Sequence, residues 1–326
     1  MLNNNIYLHT QVVYASLSWK PCSNLPIKLS EGNTTVLDDR VYCGGGTTDR
    51  EDNEYIVYCY DPSQDNWITL PPLSVKYFGL GQVLGKLVSV GGKKKIDDRA
   101  TDGIYSFDER VQRWKQTVPP MPSARFAASV LSLKSNLVVA GGRNTSSSFT
   151  DAVEIFNHGT LQWYKTYPLP VACSSISLGI TNGTCYALGG YKYLSRLNQA
   201  LYVSVDDLLH HAVPASQAFH SHSKNEHPTT AWKEYPNIPS NQPAAAVLAG
   251  SILTMGGKKV PSGANAKEVY MYVPAINSWI YFSDLPAPQF GSMVAVLSST
   301  EILLIGGYHD ENRLNIVYKG TLYFKV

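Results

Sequence analysis

A recurring pair of glycines is the feature that most constrains the fold of this chain. Six times a short apolar run ends in Gly-Gly, and the first glycines of the pairs are Gly44, Gly91, Gly141, Gly189, Gly256 and Gly306. The steps between them are 47, 50, 48, 67 and 50 residues. A nearly constant period of this length is typical of arrays whose units cannot bury their apolar faces alone. The sequence therefore predicts a repeat architecture and not two unrelated domains.

The tryptophans follow the same period. All six lie in register with the glycine pairs: Trp19, Trp67, Trp114, Trp163, Trp232 and Trp279. Their steps are 48, 47, 49, 69 and 47 residues, so both series lengthen at the same point. The fourth unit is therefore predicted to carry an insertion.

Each unit has the pattern of four short strands separated by turns. In the second unit the predicted strands are 78–84, 87–90, 103–108 and 113–117. Phe107 precedes Trp114 with six residues between them, and three other units repeat this spacing. Proline cannot donate within a strand ladder, so Pro119-Pro120 ends the unit. A single four-stranded sheet leaves both faces uncovered, so the sheets should pack around a common axis.

This pattern of an apolar run, a double glycine, an aromatic residue and a Trp resembles the kelch repeat. The resemblance covers essentially the whole chain, and it implies an all-β fold: a six-bladed β-propeller with four antiparallel strands per blade. We expect one domain over residues 1–326, with the insertion at about 204–231. The expected blades are about 27–71, 72–119, 120–169, 170–236, 237–285 and 286–326.

The two ends of the chain depart from the repeat in a complementary way. The last unit ends at Val326, in a segment that aligns with a third strand and has no Trp after it. The missing Trp is at the other end, in the segment around Trp19. We therefore predict that residues 1–26 supply the outer strand of the sixth blade and close the ring. An open end would leave an unpaired sheet edge.

The loops that follow the glycine pairs form one face of the predicted propeller, and kelch propellers commonly bind partners there. Basic residues begin this loop in the second, third and fifth blades and lie within it in the fourth, close to aromatic residues, whereas the first loop is acidic. Guanidinium and ammonium groups pair with carboxylates, and aromatic rings provide rigid contact area, so this pattern favours an acidic peptide as partner. A charged run at a loop tip can also be merely solvated, and Phe78 and Phe126 can be core residues. The candidate partner-binding residues are Arg50, Tyr77, Lys93, Lys94, Arg99, Arg125, Arg143, Tyr191, Lys192, Lys258, Tyr308 and Arg313.

The insertion contains five of the eight histidines. They are His210, His211, His220, His222 and His227. Three imidazoles could bind a metal ion, but no Cys is nearby and the segment is rich in Ser, Ala, Pro and Asn. A polar excursion between the third and fourth strands of its blade is the preferred interpretation, and we predict neither a metal nor a cofactor.

The sequence contains no recognisable catalytic set, although some kelch-like propellers are oxidases or sugar epimerases. It has no phosphate-binding loop, no GxSxG and no HExxH, and Arg125, Glu54 and His309 are not selected as an epimerase set by their spacing. We predict a non-catalytic protein-interaction module, serving as a scaffold or as a substrate-recognition adaptor. The alternative is an enzyme that acts on a small molecule or sugar in the axial pocket. A ubiquitin-ligase adaptor role is expected only if the chain is part of a longer protein with BTB and BACK domains.

Composition narrows the location and the partners. The formal net charge is only +2, which argues against nucleic acid or membrane binding by bulk electrostatics. The five cysteines form no CxxC pair, and no apolar stretch is long enough to span a membrane. A cytoplasmic protein is the resulting expectation.

Overall fold

The computed structural model describes residues 5–8, 11–133, 135–216 and 231–325. The chain forms six antiparallel sheets, each of four or five strands. From the inner to the outer strand, the first blade consists of Asn33–Leu37, Arg40–Gly44, Val57–Asp61 and Asn66–Thr69. The second consists of Gly79–Val83, Lys86–Val90, Ile104–Asp108 and Arg113–Gln116. The third consists of Ser129–Leu133, Asn136–Ala140, Val153–Asn157 and Gln162–Lys165. The fourth blade consists of Ser177–Thr181, Thr184–Leu188, Ala200–Ser204 and Lys233–Tyr235. The fifth consists of Ala244–Leu248, Ser251–Met255, Glu268–Val273 and Ser278–Asp284. The sixth consists of Met293–Val296, Glu301–Ile305, Val317–Lys325 and Gln11–Cys22.

The remaining elements are short. Five are two-stranded pairs: Leu29–Ser30 with Thr47–Thr48, Val75–Lys76 with Lys93–Lys94, Tyr191–Lys192 with Ser195–Arg196, Ser240–Asn241 with Lys258–Lys259, and Tyr308–His309 with Asn312–Arg313. Two are edge strands of the large sheets, Asn5–Leu8 and Val213–Pro214. The helices are the α-helix Val205–His210 and the 3₁₀ helices Glu51–Tyr55 and Pro274–Ile276. Within the described residues, no helix has both the length and the apolar character needed to cross a membrane.

The sheets form a closed ring, because every boundary between adjacent blades carries a hydrogen bond between inner-strand regions. At the last boundary, the hydroxyl of Thr34 in the first blade donates to the carbonyl of Val294 in the sixth at 2.6 Å. The other five boundaries are joined by Asn33–Phe78, Gln82–Ser132, Ser129–Ile176, Thr181–Gly250 and Ala249–Ser299. The predicted six-bladed propeller is confirmed.

Apolar packing repeats in the same way, with one buried cluster at each blade boundary. The cluster between the second and third blades joins Val88 and Ile104 to Leu137 and Phe156, and Trp163 packs on it at 6% exposure. The Trp163 indole also donates across this boundary to the carbonyl of Pro119 at 2.8 Å. Four other tryptophans donate in the same way to a carbonyl at the end of the preceding blade: Trp67, Trp114, Trp232 and Trp279. The Trp19 Nε1 has no hydrogen-bond partner among the described residues.

The glycine pairs are required by the contact between blades. Gly306 has φ +58°, and a Cβ there would lie 2.1 Å from the carbonyl oxygen of Leu29 in the first blade. The amide of Gly307 donates to the same carbonyl at 2.9 Å, which helps to close the ring. The first unit differs by one residue from the prediction: Gly44 ends its second strand, and Gly45 is the first residue of the pair that matches the other blades.

The N-terminal segment supplies the outer strand of the sixth blade, as predicted. Gln11–Cys22 pairs antiparallel with Val317–Lys325, and Trp19 lies opposite Gly320. A Cβ at Gly320 would lie 2.7 Å from the Trp19 ring, so the absence of a side chain there makes room for the indole. The strand Asn5–Leu8 adds a fifth member to this sheet.

Candidate partner-binding face

The mouth of the central channel is built from one left-handed residue per blade. Two residues before each inner strand the backbone φ lies between 49° and 62°. These residues are Glu31, Tyr77, Ala127, Ser175, Gln242 and Gly291. Non-glycine residues seldom adopt this conformation, so its sixfold recurrence indicates that the ring imposes it. The mouth is thus a fixed backbone circle that carries six different side chains.

The residue before each left-handed position pairs with a residue just after the glycines of the same blade. The six pairs are Ser30–Thr47, Lys76–Lys93, Phe126–Arg143, Ser174–Tyr191, Asn241–Lys258 and Phe290–Tyr308. We call the surface formed by these pairs and by the loops that follow the glycines the post-glycine face. The predicted residues Tyr77, Lys93, Arg143, Tyr191, Lys258 and Tyr308 all lie on it.

A cavity of about 430 Å³ opens on this face over the first four blades, and Glu31 of the first blade is part of its lining. Four of the predicted residues line it together: Tyr77, Lys93, Arg143 and Tyr191. Phe126 lies among them, and the Lys93 ammonium is 4.8 Å from the centre of its ring. The Arg143 guanidinium is 5.4 Å from the same ring. Phe126 is a buried residue, 6% exposed, and the part of its ring that remains exposed forms the cavity wall.

The two cations of the cavity differ in how far they are neutralised. The Lys93 ammonium donates to Asp98 at 2.6 Å, and this bond lowers the pKa of the Asp98 carboxyl. Arg143 Nε donates to the carbonyl of Ser147 at 2.9 Å. Among the described residues Arg143 has no carboxylate partner, so its charge is available to a ligand.

The acidic loop of the first blade neutralises basic residues of its neighbours. Asp49 accepts from Arg313 at 3.1 Å, and Glu51 accepts from Lys76 at 2.7 Å. Asp52 lies 3.5 Å from Lys95. The predicted residue Arg313 is therefore already paired within the chain, while Arg50, Lys94 and Arg99 are exposed and Lys192 is half-buried.

Arg125 does not lie on the surface, and the prediction that it contacts a partner is corrected here. Its side chain is 0% exposed and forms an ion pair with Glu154, which is also 0% exposed. Arg125 Nη1 donates to the carbonyls of Gly141 at 3.2 Å and Ala152 at 3.0 Å. A buried guanidinium needs such partners, so Arg125 anchors the segment that carries Phe126.

The described part of the insertion packs on the edge of the third blade. The helix Val205–His210 is followed by Val213–Pro214, which pairs with Tyr164 and Lys165. The His211 ring lies 4.9 Å from the Tyr167 ring. His220, His222 and His227, the residues of the metal hypothesis, lie outside the described residues. Within the described ranges, no group of three or more His, Cys, Asp or Glu is arranged to hold a metal ion.

The buried cysteines are poor nucleophiles. Burial raises the pKa of Cys173 to about 11 and that of Cys185 to about 12. A thiol reacts as its thiolate, so these side chains are inert at neutral pH.

Two polar side chains meet at the channel mouth, Glu31 and Gln242. The side-chain amide of Gln242 donates to the Glu31 carboxylate at 3.0 Å.

Comparison with known proteins agrees with this architecture. The Kelch motif family model matches residues 30–74. Kelch-like protein terF of Aspergillus terreus is 24% identical over 85% of this chain and 60% of its own length. Kelch-like protein 40 of Xenopus tropicalis is 29% identical over 47% of this chain and 25% of its own. Alpha-scruin of Limulus polyphemus is 22% identical over 55% of this chain and 21% of its own.

These relatives are longer than the region they share with this chain, which spans at most 60% of each. Among solved structures, the one titled "Structure of YjhT" superposes with a TM-score of 0.71 over 94% of this chain and 99% of that one. The identity is 11%, so this likeness shows the fold alone.

Proposed function

This chain is a kelch-repeat β-propeller, and we propose that it acts without catalysis, as a module that binds an acidic segment of a partner protein on its post-glycine face. The observation that carries the proposal is the cavity over the first four blades. It holds Arg143, without a carboxylate partner among the described residues, against the ring of Phe126. Charge-assisted hydrogen bonds from a guanidinium are about twice as strong as neutral ones, so a carboxylate is the favoured occupant.

The surroundings of the cavity favour a protein partner over a free ion. Tyr77, Phe126 and Tyr191 give it rigid aromatic walls. Two loop tips beside it expose large apolar side chains, with Ile96 91% and Leu194 94% exposed. Aromatic residues and arginine are enriched in protein-binding surfaces and supply most of their energetically dominant contacts.

The proposal extends to the role of the whole protein. A rigid propeller that captures an acidic segment suits a scaffold or a substrate-recognition adaptor in the cytoplasm. A ubiquitin-ligase role belongs to this proposal only if the chain is part of a longer protein. The net charge of +2 gives no bulk attraction to nucleic acid or to an anionic membrane.

The test is a charge reversal at Arg143 with a matched control. Lys86 is exposed and is the first residue of the second strand of its blade, at the opposite end of that strand from the glycine pair. Binding of fluorescent Glu-rich peptides, and of the same peptides with Gln for Glu, is measured by anisotropy. We expect Arg143→Glu to weaken Glu-peptide binding at least tenfold and Lys86→Glu to change it less than twofold. Equal binding of the Glu and Gln peptides by the unmodified protein would refute the proposal.

A second candidate function is a small-molecule reaction in the axial pocket. The observation that favours it is the Glu31–Gln242 pair at the mouth, since a half-buried carboxylate can transfer a proton. The two cavities along the channel, of about 70 and 110 Å³, have room for only a few water molecules. Any substrate would therefore occupy the wider cavity of about 430 Å³ outside the channel. If Glu31→Gln abolished turnover of a substrate but still bound it, this alternative would be supported.

A further inference from the structure

Two sites of the same composition lie on opposite sides of the channel mouth. In a ring of six blades, a step of three blades is half a turn. Lys93 and Lys258 are equivalent residues of the second and fifth blades, each directly after the glycine pair. Phe126 and Phe290 are equivalent residues of the third and sixth blades, each directly before the left-handed residue. The pattern of one lysine over one phenylalanine therefore recurs across the axis.

An arginine completes each site. Around Phe126 the Lys93 ammonium is at 4.8 Å and the Arg143 guanidinium at 5.4 Å from the ring centre. Around Phe290 the Lys258 ammonium is at 4.2 Å and the Arg196 guanidinium at 4.9 Å. We call these the Phe126 site and the Phe290 site. Tyr308 stacks on Phe290 at 4.9 Å and extends the aromatic wall of the second site.

The Phe290 site holds two like charges, and neither forms an ion pair with a carboxylate within the described part of the chain. Arg196 Nε is buried and has no hydrogen-bond partner there. Lys258 donates to the amide oxygen of Asn265 at 2.5 Å. Burial and, next in size, the Arg196 charge lower the pKa of Lys258. Asp310 lies near enough to offset part of the lowering of the Lys258 pKa, but it is bonded to Asn265 at 3.3 Å. Two cations held together on one ring repel each other, and an anion between them would relieve both the repulsion and the missing hydrogen bond.

The surface between the two sites has a different character. Glu31 and Gln242 lie at the mouth, and the Gln242 side-chain oxygen is buried without a hydrogen-bond partner among the described residues. Gly291 and Ala127, at the mouth positions next to Phe290 and Phe126, carry little or no side chain. A carboxylate placed over Glu31 would be repelled, so the middle of a ligand should be neutral.

We propose that the post-glycine face binds a partner segment with two acidic groups, one seated at the Phe126 site and one at the Phe290 site, joined by a neutral stretch across the mouth. This inference rests on the proposed function and adds the second site and the spacing. Once one end is bound, the other end binds intramolecularly. Linking of this kind raises affinity by about 10²–10⁴ when the spacer matches the span, and by little when it is too short.

The experiment compares two-ended and one-ended peptides. The probes are fluorescent Glu-Glu-(Gly-Ser)n-Glu-Glu peptides with n from 1 to 6, and matched peptides in which one Glu pair is replaced by Gln-Gln. We expect the best two-ended peptide to bind at least tenfold more tightly than either one-ended peptide, with an optimum in n. An affinity that rises by only about twofold at every n would overturn the bidentate mode.

Variants at each site separate this inference from the proposed function. Arg196→Gln with Lys258→Met should reduce the affinity of the best two-ended peptide to that of a one-ended peptide, while Lys86→Met leaves it unchanged. If that double variant has no effect and Arg143→Gln weakens every acidic peptide, the proposed function stands and the second site is refuted. If no Glu peptide binds better than its Gln counterpart, the proposed function fails as well.

Charge exchange makes the test independent of any loss of folding. Arg196→Glu with Lys258→Glu should bind Glu-Glu-(Gly-Ser)n-Lys-Lys at least tenfold more tightly than it binds the peptide with Glu pairs at both ends. The unmodified protein should have the reverse preference. A folded variant that keeps the original preference would overturn the assignment of the Phe290 site.

Discussion

The blade boundaries and the post-glycine face are built on the same repeated backbone, yet they use it in opposite ways. At the boundaries the same contacts recur around the ring, such as the bond from Trp163 to Pro119 and the bond from Trp279 to Pro236, both 2.8 Å long. On the face, equivalent positions hold Lys93, Arg143 and Tyr191. The backbone hydrogen bonds that fix these positions do not depend on the side chains, so the face can vary without disturbing the ring.

The comparison separates two kinds of substitution. A substitution at a blade boundary should lower the free energy of unfolding. It should affect binding only by reducing the fraction of protein that is folded. A change on the face should alter binding and leave the free energy of unfolding within about 0.5 kcal/mol, as is usual for exposed positions. Three predictions test this separation, from the largest expected effect to the smallest.

Removal of residues 1–22 should have the largest effect, because it takes away the outer strand of the sixth blade. The exposed edge of Val317–Lys325 would lose the whole antiparallel pairing with Gln11–Cys22 and leave an unprotected template for aggregation. We expect aggregation, or a melting temperature lowered by more than 10 °C, in size-exclusion chromatography and thermal melts. A synthetic peptide of residues 11–26, added in excess, should restore part of the loss. Unchanged melting would contradict a closed ring.

The buried ion pair should show the next largest effect. Glu154→Gln leaves the Arg125 guanidinium buried without its counter-charge, and breaking such a pair costs about 3–5 kcal/mol. Arg125→Met with Glu154→Leu removes both charges and should cost less than Glu154→Gln alone. Urea unfolding measures the difference. A larger cost for the double variant would show that the bonds from Arg125 to the carbonyls of Gly141 and Ala152 outweigh the ion pair.

Asp98→Asn should have the smallest effect on stability and a measurable effect on binding. Asp98 holds the Lys93 ammonium at 2.6 Å and lies 3.7 Å from that of Lys76, so it competes with an acidic ligand for both charges. Its side chain is 60% exposed, so its loss should cost no more than about 1 kcal/mol. We expect a severalfold gain in affinity for Glu-rich peptides, measured by anisotropy at low salt. Weaker binding would mean that Asp98 orients Lys93 and does not compete for it.

The ring was predictable from sequence because its determinants lie close together in each unit. Phe107 and Trp114 stand seven positions apart and pair directly across two strands, with ring centres 5.1 Å apart. The same local pattern placed Trp19 in the sixth blade. It misplaced the first glycine pair by one residue, because three consecutive glycines, Gly44 to Gly46, give the pattern no unique register.

The site was only partly predictable, because its contacts join distant parts of the chain. Arg125 precedes Phe126 in a segment that looks like a loop. Nothing near it in sequence indicates that its guanidinium forms an ion pair with Glu154, which lies in the strand Val153–Asn157. Arg196 reaches the ring of Phe290, which lies two blades further along the chain. Lys93, Arg143 and Tyr191 could be placed, because each stands directly after a glycine pair.

The short strand Val213–Pro214 has a consequence for how the molecules behave at high concentration. It covers the outer edge of the third blade by pairing with Tyr164 and Lys165. Proline has no N–H to offer to a further strand, so polymerisation by edge-to-edge pairing is blocked at that point. We therefore expect edge-to-edge pairing of two molecules to be disfavoured at this part of the third blade.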